Sequence, residues 1–315
     1  MSVTASNYDF GPVALFRTRY VTVTTFGMLV GLGFFLALMH FWFYLGYRQV
    51  ALHDASLVFF GLLISLAAPV GAYSMARLLD LPRLIRGEVT LAQFFRIPGF
   101  ALWGGLLLGM AVIYILSRAN GWNPLVMFDG VVFGLPLAQA IGRLGCLNYG
   151  CCHGRPHPKG RGIRYHDPET KVLRLNSALA GVPLYPTQIY SSLANISIYL
   201  ILLVVALAPD SPTPGLVTAL YLLLYGTKRF ALELLRGEWP RTNILGLSLW
   251  QWFSLGFIAA GALLLGNLEP GLLRAVLPSV GMGLSLAREC FPITAAMTLG
   301  FTAVYALQGR TIGSW

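Results

Sequence analysis

Residues 124–155 read PLVMFDGVVFGLPLAQAIGRLGCLNYGCCHGR. From Pro124 to Gly142 the run is apolar apart from Asp129 and Gln139. A stretch of roughly 20 such residues is long enough to cross a bilayer as a helix. Arg143 then opens a different composition: Gly145, Cys146, Asn148, Gly150, Cys151, Cys152, His153, Gly154 and Arg155. A spanning helix therefore runs out into a glycine-rich turn loaded with guanidiniums, thiols and an imidazole. Ionisable groups at a membrane boundary are costly to hold and mark places that bind or react. Glycines let a ligand come close to the backbone, so the turn reads as a site.

Outward from this stretch, the apolar part of the pattern recurs. The chain has 315 residues, of which 56% are apolar and 11% charged, with mean hydropathy +0.68. A soluble domain carries about 25% charged residues. Apolar runs fall at about 20–46, 55–76, 98–117, 123–142, 186–208, 213–235, 247–267 and 289–307. Strands with open edges would leave backbone groups unpaired in lipid. The expectation is an all-α polytopic membrane protein with seven firm spans and a weaker eighth. The first twenty residues are not expected to be a cleaved signal, because Asp9 precedes Arg17 and Arg19 and the following run is too long. No repeat or low-complexity tract stands out. The net charge of +10 suits anionic lipid head groups, and with no soluble basic domain it excludes nucleic acid.

One polar segment is large. Residues 147–185 carry Arg155, Lys159, Arg161, Arg164, His166, Asp167, Glu169, Lys171 and Arg174 among Pro156, Pro158, Gly160, Gly162 and Pro168. This predicts a small extramembrane head between the fourth and fifth spans. A second polar segment, 78–96, contains LAQFFRI at 91–97, which suits a short helix lying in the interface. Seventeen of the 22 Lys and Arg fall on the face that carries the N-terminus and the head. The positive-inside rule would make that face cytoplasmic. Alternatively, several of these cations clamp a ligand and say nothing of orientation.

The sixth span carries Tyr225, Arg229 and Glu233 at i, i+4 and i+8, one stripe on one helical face, with Arg236 close to it. An Arg–Glu pair there can lock two helices together. The phenol and the second arginine favour a ligand instead, because guanidinium forks match phosphate oxygens as Lys cannot. The fifth span opens with Tyr185-Pro186-Thr187-Gln188-Ile189-Tyr190. Pro186 fits a first helical turn, and Thr187 and Gln188 are either caps or partners for an ester or phosphate oxygen.

Three motifs together, Gly142-Arg143-Leu144-Gly145 with its glycine turn, Pro186-Thr187-Gln188-Ile189-Tyr190, and Tyr225-Gly226 through Arg229-Phe230 to Glu233, resemble the prolipoprotein diacylglyceryl transferase family. The likeness runs from about 20 to 267 and takes in Phe128-Asp129 and Gly246-Leu247-Ser248-Leu249-Trp250-Gln251. It implies a seven-helix bundle with its head over 1–267, and a C-terminal extension over 268–315 holding an extra span. It also implies a multi-pass protein of the bacterial inner membrane that moves the diacylglyceryl group of phosphatidylglycerol, or a related anionic phospholipid, onto the cysteine thiol of a lipobox-containing precursor. Carried over by position, Arg143 and Arg229 would hold the lipid phosphate and stabilise its growing charge. Gly142, Asn148, Gly154, Gln188, Tyr190, Tyr225, Glu233, Arg236 and Trp103 would line the substrate site. No cofactor is implied, since the two guanidiniums meet the phosphate charge.

The resemblance breaks at four positions. The family's third-span His-Gly-Gly stands here as Trp103-Gly104-Gly105, and the first-span tyrosine as Phe26. Cys146 replaces an asparagine and Cys151 a glutamate. These changes touch the acceptor side more than the phosphate site. His153 is then a candidate base with its pKa near the working pH, although a hydrogen-bonded turn histidine explains it equally well. Two further readings stay open: a sister enzyme with the same donor and another acceptor, and a lipid-binding homologue without catalysis. No metal site is expected, because adjacent thiols in one short turn do not easily make a tetrahedron. A Cys146–Cys151 or Cys146–Cys152 disulfide fits an oxidising face better. Cys290 reads as a buried hydrophobe, Trp250 as part of an interfacial belt, and His40 and His53 have no partner motif.

Overall fold

The computed structural model describes residues 9–50, 54–96, 102–208, 213–237, 243–268 and 278–308. The chain opens with strands β1 (Ala14–Arg17) and β2 (Thr22–Thr24), then helices α1 (Thr25–Tyr47), α2 (Asp54–Ile85), α3 (Leu91–Arg96), α4 (Leu102–Ala119) and α5 (Pro124–Tyr149). After α5 come α6 (Lys171–Leu175) and a single 3-10 turn (Ser177–Leu179), then α7 (Thr187–Ala206) and α8 (Leu216–Glu233). Strands β3 (Asn243–Ile244) and β4 (Leu247–Ser248) lead into α9 (Leu249–Gly266), α10 (Val280–Glu289), α11 (Phe291–Ala306) and β5 (Leu307–Gln308). It is an all-α polytopic membrane protein. By length and composition α1, α5, α7 and α9 can cross a membrane. Leu32, Leu107, Leu193, Leu200, Val204 and Leu263 stand exposed on the outside of the bundle, an apolar surface that lipid covers and water would not.

Local signals set the helix ends. Thr24 caps α1 by accepting from the Gly27 N–H at 3.3 Å, and Asn123 caps α5 ahead of Pro124. Ser248 and Gln251 form a capping box on α9, satisfying N–H groups with no partner inside the helix. Asp129, fully buried in α5, accepts from the Gly215 N–H (2.7 Å), the Thr218 N–H (2.8 Å) and the Thr218 hydroxyl (2.6 Å). A carboxylate from one span thus caps the start of another, since anions are favoured at a helix N-terminus. Trp42, Tyr44, Leu45, Met127, Phe133, Leu202 and Val217 fill the core between α1, α5, α7 and α8.

Four features differ from the reading of the sequence. Residues 14–24 form a β-hairpin before the first span, which therefore starts at Thr25 rather than near residue 20. Helix α5 continues to Tyr149, so the head begins one turn later than position 147. Helix α2 extends to Ile85, well past the apolar run, into the polar segment. The apolar run at 289–307 forms α11, and a further helix, α10, precedes it with a break at Cys290. Both lie antiparallel along α1: a Cβ on Gly27 would meet Ala306, one on Gly31 would meet Thr302, and one on Gly46 would come 2.6 Å from the Met282 carbonyl. Trp42 also donates to the Thr294 hydroxyl at 3.0 Å. The side chains of Trp103 and Arg96, and residues His53, Arg241, Arg274 and Arg310, lie outside the described set.

The N-terminal segment is stitched to the head. Asp9 accepts from the backbone N–H of His166 and of Asp167, and Arg17 pairs with Glu169. Strand β2 pairs with β5 beyond α11. Two strands can pair only on one side of the bilayer, so an even number of crossings separates residues 24 and 307.

Candidate functional site

The site forms where α5 ends beside α8 and α7 begins. Gly150, at φ +74°, closes α5 in the left-handed conformation that glycine tolerates. The turn beyond it is braced from α7: the Thr187 hydroxyl donates to the Cys152 carbonyl at 2.8 Å and the Gln188 amide to the Cys151 carbonyl at 2.9 Å. Gln188 is fully buried, and its amide also reaches the Tyr165 hydroxyl at 3.2 Å. Gly154 then packs between Tyr185 and the strand-like end of α8, donating to the Tyr185 carbonyl at 3.0 Å and bridging to Arg236. A Cβ on Gly154 would come 2.6 Å from the Tyr185 oxygen and 2.9 Å from that of Leu235, so only glycine admits this approach.

Onto this frame α5 and α8 project their cations. Arg229 pairs with Glu233 at 2.7 Å, both largely buried, and its guanidinium lies 5.6 Å from the Trp250 ring centre. Lys228 donates to Asn195 on α7 at 2.7 Å and sits 4.1 Å over the Tyr225 ring. Tyr225 stacks on Tyr221, centres 5.3 Å apart, and Tyr221 accepts from Gln139 at 2.8 Å. Arg143 and Arg229 act electrostatically on each other, both act on Lys228, and Arg236 acts on Arg229. Tyr225 acts on both guanidiniums. Four basic side chains, Arg143, Lys228, Arg229 and Arg236, thus stand in one group, and the Glu233 carboxylate pairs with Arg229 within it. Like charges in a low dielectric repel strongly, so this surplus fits the seat of an anion.

The Sγ atoms of Cys146, Cys151 and Cys152 lie within 4.8 Å of one another, on the Arg143 side of the site. They stand as thiols, not as either expected disulfide. Cys152 takes φ +60°, a conformation that L-residues rarely adopt. Hydrogen bonds from Cys146 and then Cys151 hold the Cys152 thiol well below the usual range, helped by Arg143 and Arg236. His153 hydrogen-bonds through Nδ1 to the Gly154 carbonyl at 3.0 Å, which leaves Nε2 as the acceptor nitrogen.

Residues 12–266 match the sequence profile of the prolipoprotein diacylglyceryl transferases. The chain belongs to that family. Among its relatives, phosphatidylglycerol–prolipoprotein diacylglyceryl transferase 2 of Clostridium perfringens (strain 13 / Type A) is 39% identical over 171 residues, 54% of this chain and 62% of that protein. The transferase of Clostridium tetani is 35% identical over 165 residues, covering 52% and 61%. That of Clostridioides difficile is 34% identical over 144 residues, covering 46% and 52%. The chain thus spans less than two thirds of the length of these relatives.

Several residues marked in the sequence of this diacylglyceryl transferase family member come together. Arg143, Tyr225, Arg229, Glu233 and Arg236 are linked pairwise, Gly154 bridges to Arg236, and a Cβ on Gly142 would have nothing within 4 Å. Three others do not join them. The Asn148 amide binds the carbonyls of Phe10, Gly11 and Pro12 at 3.0, 2.8 and 3.2 Å, fastening the N-terminal segment. The Gln188 amide is spent on the cysteine turn, and Tyr190 is 42% exposed on the outer face of α7. Phe26, lacking the expected hydroxyl, packs on Tyr149 with ring centres 5.4 Å apart. His40 has a partner after all, Tyr199 of α7 at 2.7 Å, in a partly buried position between α1 and α7. Sequence reasoning missed Lys228, Asn195 and Trp250 as neighbours of the cluster. The i, i+3 step from Tyr225 to Lys228 was the available signal.

Proposed function

We propose that this protein transfers the diacylglyceryl group of phosphatidylglycerol, or of a related anionic phospholipid, to the cysteine thiol of a lipobox-containing precursor at the bacterial inner membrane. The surplus of four cations over one carboxylate, drawn from α5 and α8, carries the reading. In the reaction the acceptor sulfur forms a bond to the terminal glyceryl carbon as the C–O bond to phosphate breaks. The bonding pair leaves with glycerol phosphate. Arg143 and Arg229 fix the phosphate and stabilise the charge that grows on it, in a setting where such preorganised charge is the largest catalytic contribution. Glu233 orients Arg229, while Tyr225 and Arg236 border the phosphate. His153 Nε2 takes the proton of the acceptor thiol. Residues 1–267 form the transferring bundle and 268–315 an added span.

The test is mass spectrometry of lipid and peptide after mixing the detergent-solubilised protein with phosphatidylglycerol and a lipobox peptide. A diacylglyceryl thioether with release of glycerol phosphate is expected. Intact lipid and unmodified peptide, where an active transferase of the family works, would overturn the reading. Phe26 and Trp103 favour a second reading, the same donor with a different acceptor. It predicts a lipobox peptide that stays bare, with glycerol phosphate released only when another nucleophile is added to take the diacylglyceryl group.

A further inference from the structure

We propose that Cys146, Cys151 and Cys152 bind one thiophilic divalent cation of the zinc class, with its fourth coordination position left to a thiol from outside the chain. The objection from sequence was that adjacent thiols in one short turn do not easily make a tetrahedron. The left-handed backbone at Cys152 removes it, gathering three sulfurs within 4.8 Å of one another. Zinc holds thiolates at about 2.3 Å, which in a tetrahedron puts sulfurs roughly 3.8 Å apart, so each pair closes by about 1 Å at most. The turn is rigid enough to keep them there: Gly150 fixes its start, and Thr187 and Gln188 grip the carbonyls of Cys152 and Cys151.

Charge and ligand count favour the same assignment. Three thiolates around a divalent cation leave one net negative charge, and Arg143 and Arg236 both act on Cys152 to offset it. Among the described residues no His, Asp or Glu joins the three sulfurs. Structural zinc sites are closed by four protein ligands, whereas reactive ones offer three and keep a position open. A thiol entering that position gives up its proton, to His153 or to water, and stays as a bound thiolate beside Arg143. Its sulfur pair can then attack the glyceryl carbon while the C–O pair departs with the phosphate. The nature of the fourth ligand rests on the transferase reading above; the metal site itself does not.

Cobalt(II) tests both halves in the full-length, detergent-solubilised chain, reduced and then freed of reductant without oxygen. Thiolate-to-cobalt charge-transfer absorption is expected to saturate at one equivalent, to vanish on stripping with a chelator and to return on reloading. Removing even an outer-shell partner lowers metal affinity 10–100-fold, so Cys151→Ser or Cys152→Ser should weaken binding by at least about 100-fold. Cys290→Ser, at the α10–α11 break, should leave it unchanged. A short peptide with one cysteine should shift the visible bands, and its serine counterpart should not. Absence of the charge-transfer band in wild type, its survival in both serine variants, or two of the three thiols found as a disulfide before any oxidant is added would overturn the site. Bands that ignore the cysteine peptide would overturn the open position. Cobalt binding with no lipid turnover would leave the site standing and bring down the transferase reading.

Discussion

Arg143 and Arg229 come from two helices and act on each other electrostatically, and what they offer a phosphate is geometry as much as charge. A guanidinium presents paired donors to two phosphate oxygens, while an ammonium is a point charge on a flexible stem. Arg143→Lys should therefore lower transfer by about 10²–10³-fold, the range for losing one preorganised donor to a developing anion, with folding unaffected. Initial rates with saturating lipid peptide would measure it, and a loss under tenfold would count against a phosphate clamp at Arg143. Cys152 supports a second expectation at this scale. The hydrogen bonds from Cys146 and Cys151 hold its thiol well below the ordinary range, so it favours the thiolate more than a free thiol does. An ordinary thiol, with pKa near 8.5, slows about tenfold per pH unit below that value. After chelator treatment, alkylation of Cys152 should slow less steeply than an ordinary thiol as pH falls from about 8 to about 6.5. A tenfold drop per unit, read by peptide mass spectrometry, would mean that the cluster does not favour the thiolate.

At the scale of elements, Asp129 links the two helices that carry the arginines. Its carboxylate takes three donors from the start of α8, and Arg229 lies on the same helix further along. Asp129→Ala leaves three buried donors without an acceptor, at about 1–3 kcal/mol each. A loss of at least about 3 kcal/mol is expected, with weaker lipid binding as α8 loosens. Asp129→Asn keeps one carbonyl oxygen and should lose less. Thermal unfolding in detergent measures both, and an alanine variant within about 0.5 kcal/mol of wild type, the scatter of ordinary surface changes, would refute the cap. The helices were legible in the sequence because apolar runs of spanning length have few other uses in a chain with 11% charged residues. The hairpin was not: Val21-Thr22-Val23-Thr24 alternates with period two, but it joins the next apolar run without a break. The α8 stripe was legible because i, i+4 spacing fixes a face. The backbone partners of the Asn148 and Gln188 amide nitrogens were not legible, because an amide beside a site serves a backbone carbonyl as readily as a ligand, and spacing does not distinguish the two.

For the whole molecule, the pairing of β2 with β5 ties the end of α11 to the face that carries the head and the N-terminal segment. The α10–α11 pair thereby acts as a brace along α1, and α1 in turn packs against α5, where Gly33 approaches the Ala138 carbonyl. This brace lies outside the family match, which ends at residue 266, yet it covers the glycine face of the first span. The tightness of that contact makes it testable. A Cβ on Gly31 would run into Thr302, whereas one on Gly300, in α11, meets open space. Gly31→Leu should therefore destabilise the fold by about 1–3 kcal/mol, the usual range for overpacking, while Gly300→Leu should be nearly neutral. Because the cation cluster hangs on α5, α7 and α8 rather than on α1, phospholipid binding at permissive temperature should survive Gly31→Leu. Equal tolerance of the two leucines in thermal unfolding would mean that α11 does not seat on α1. A matching loss of lipid binding would mean that the brace and the site are one unit.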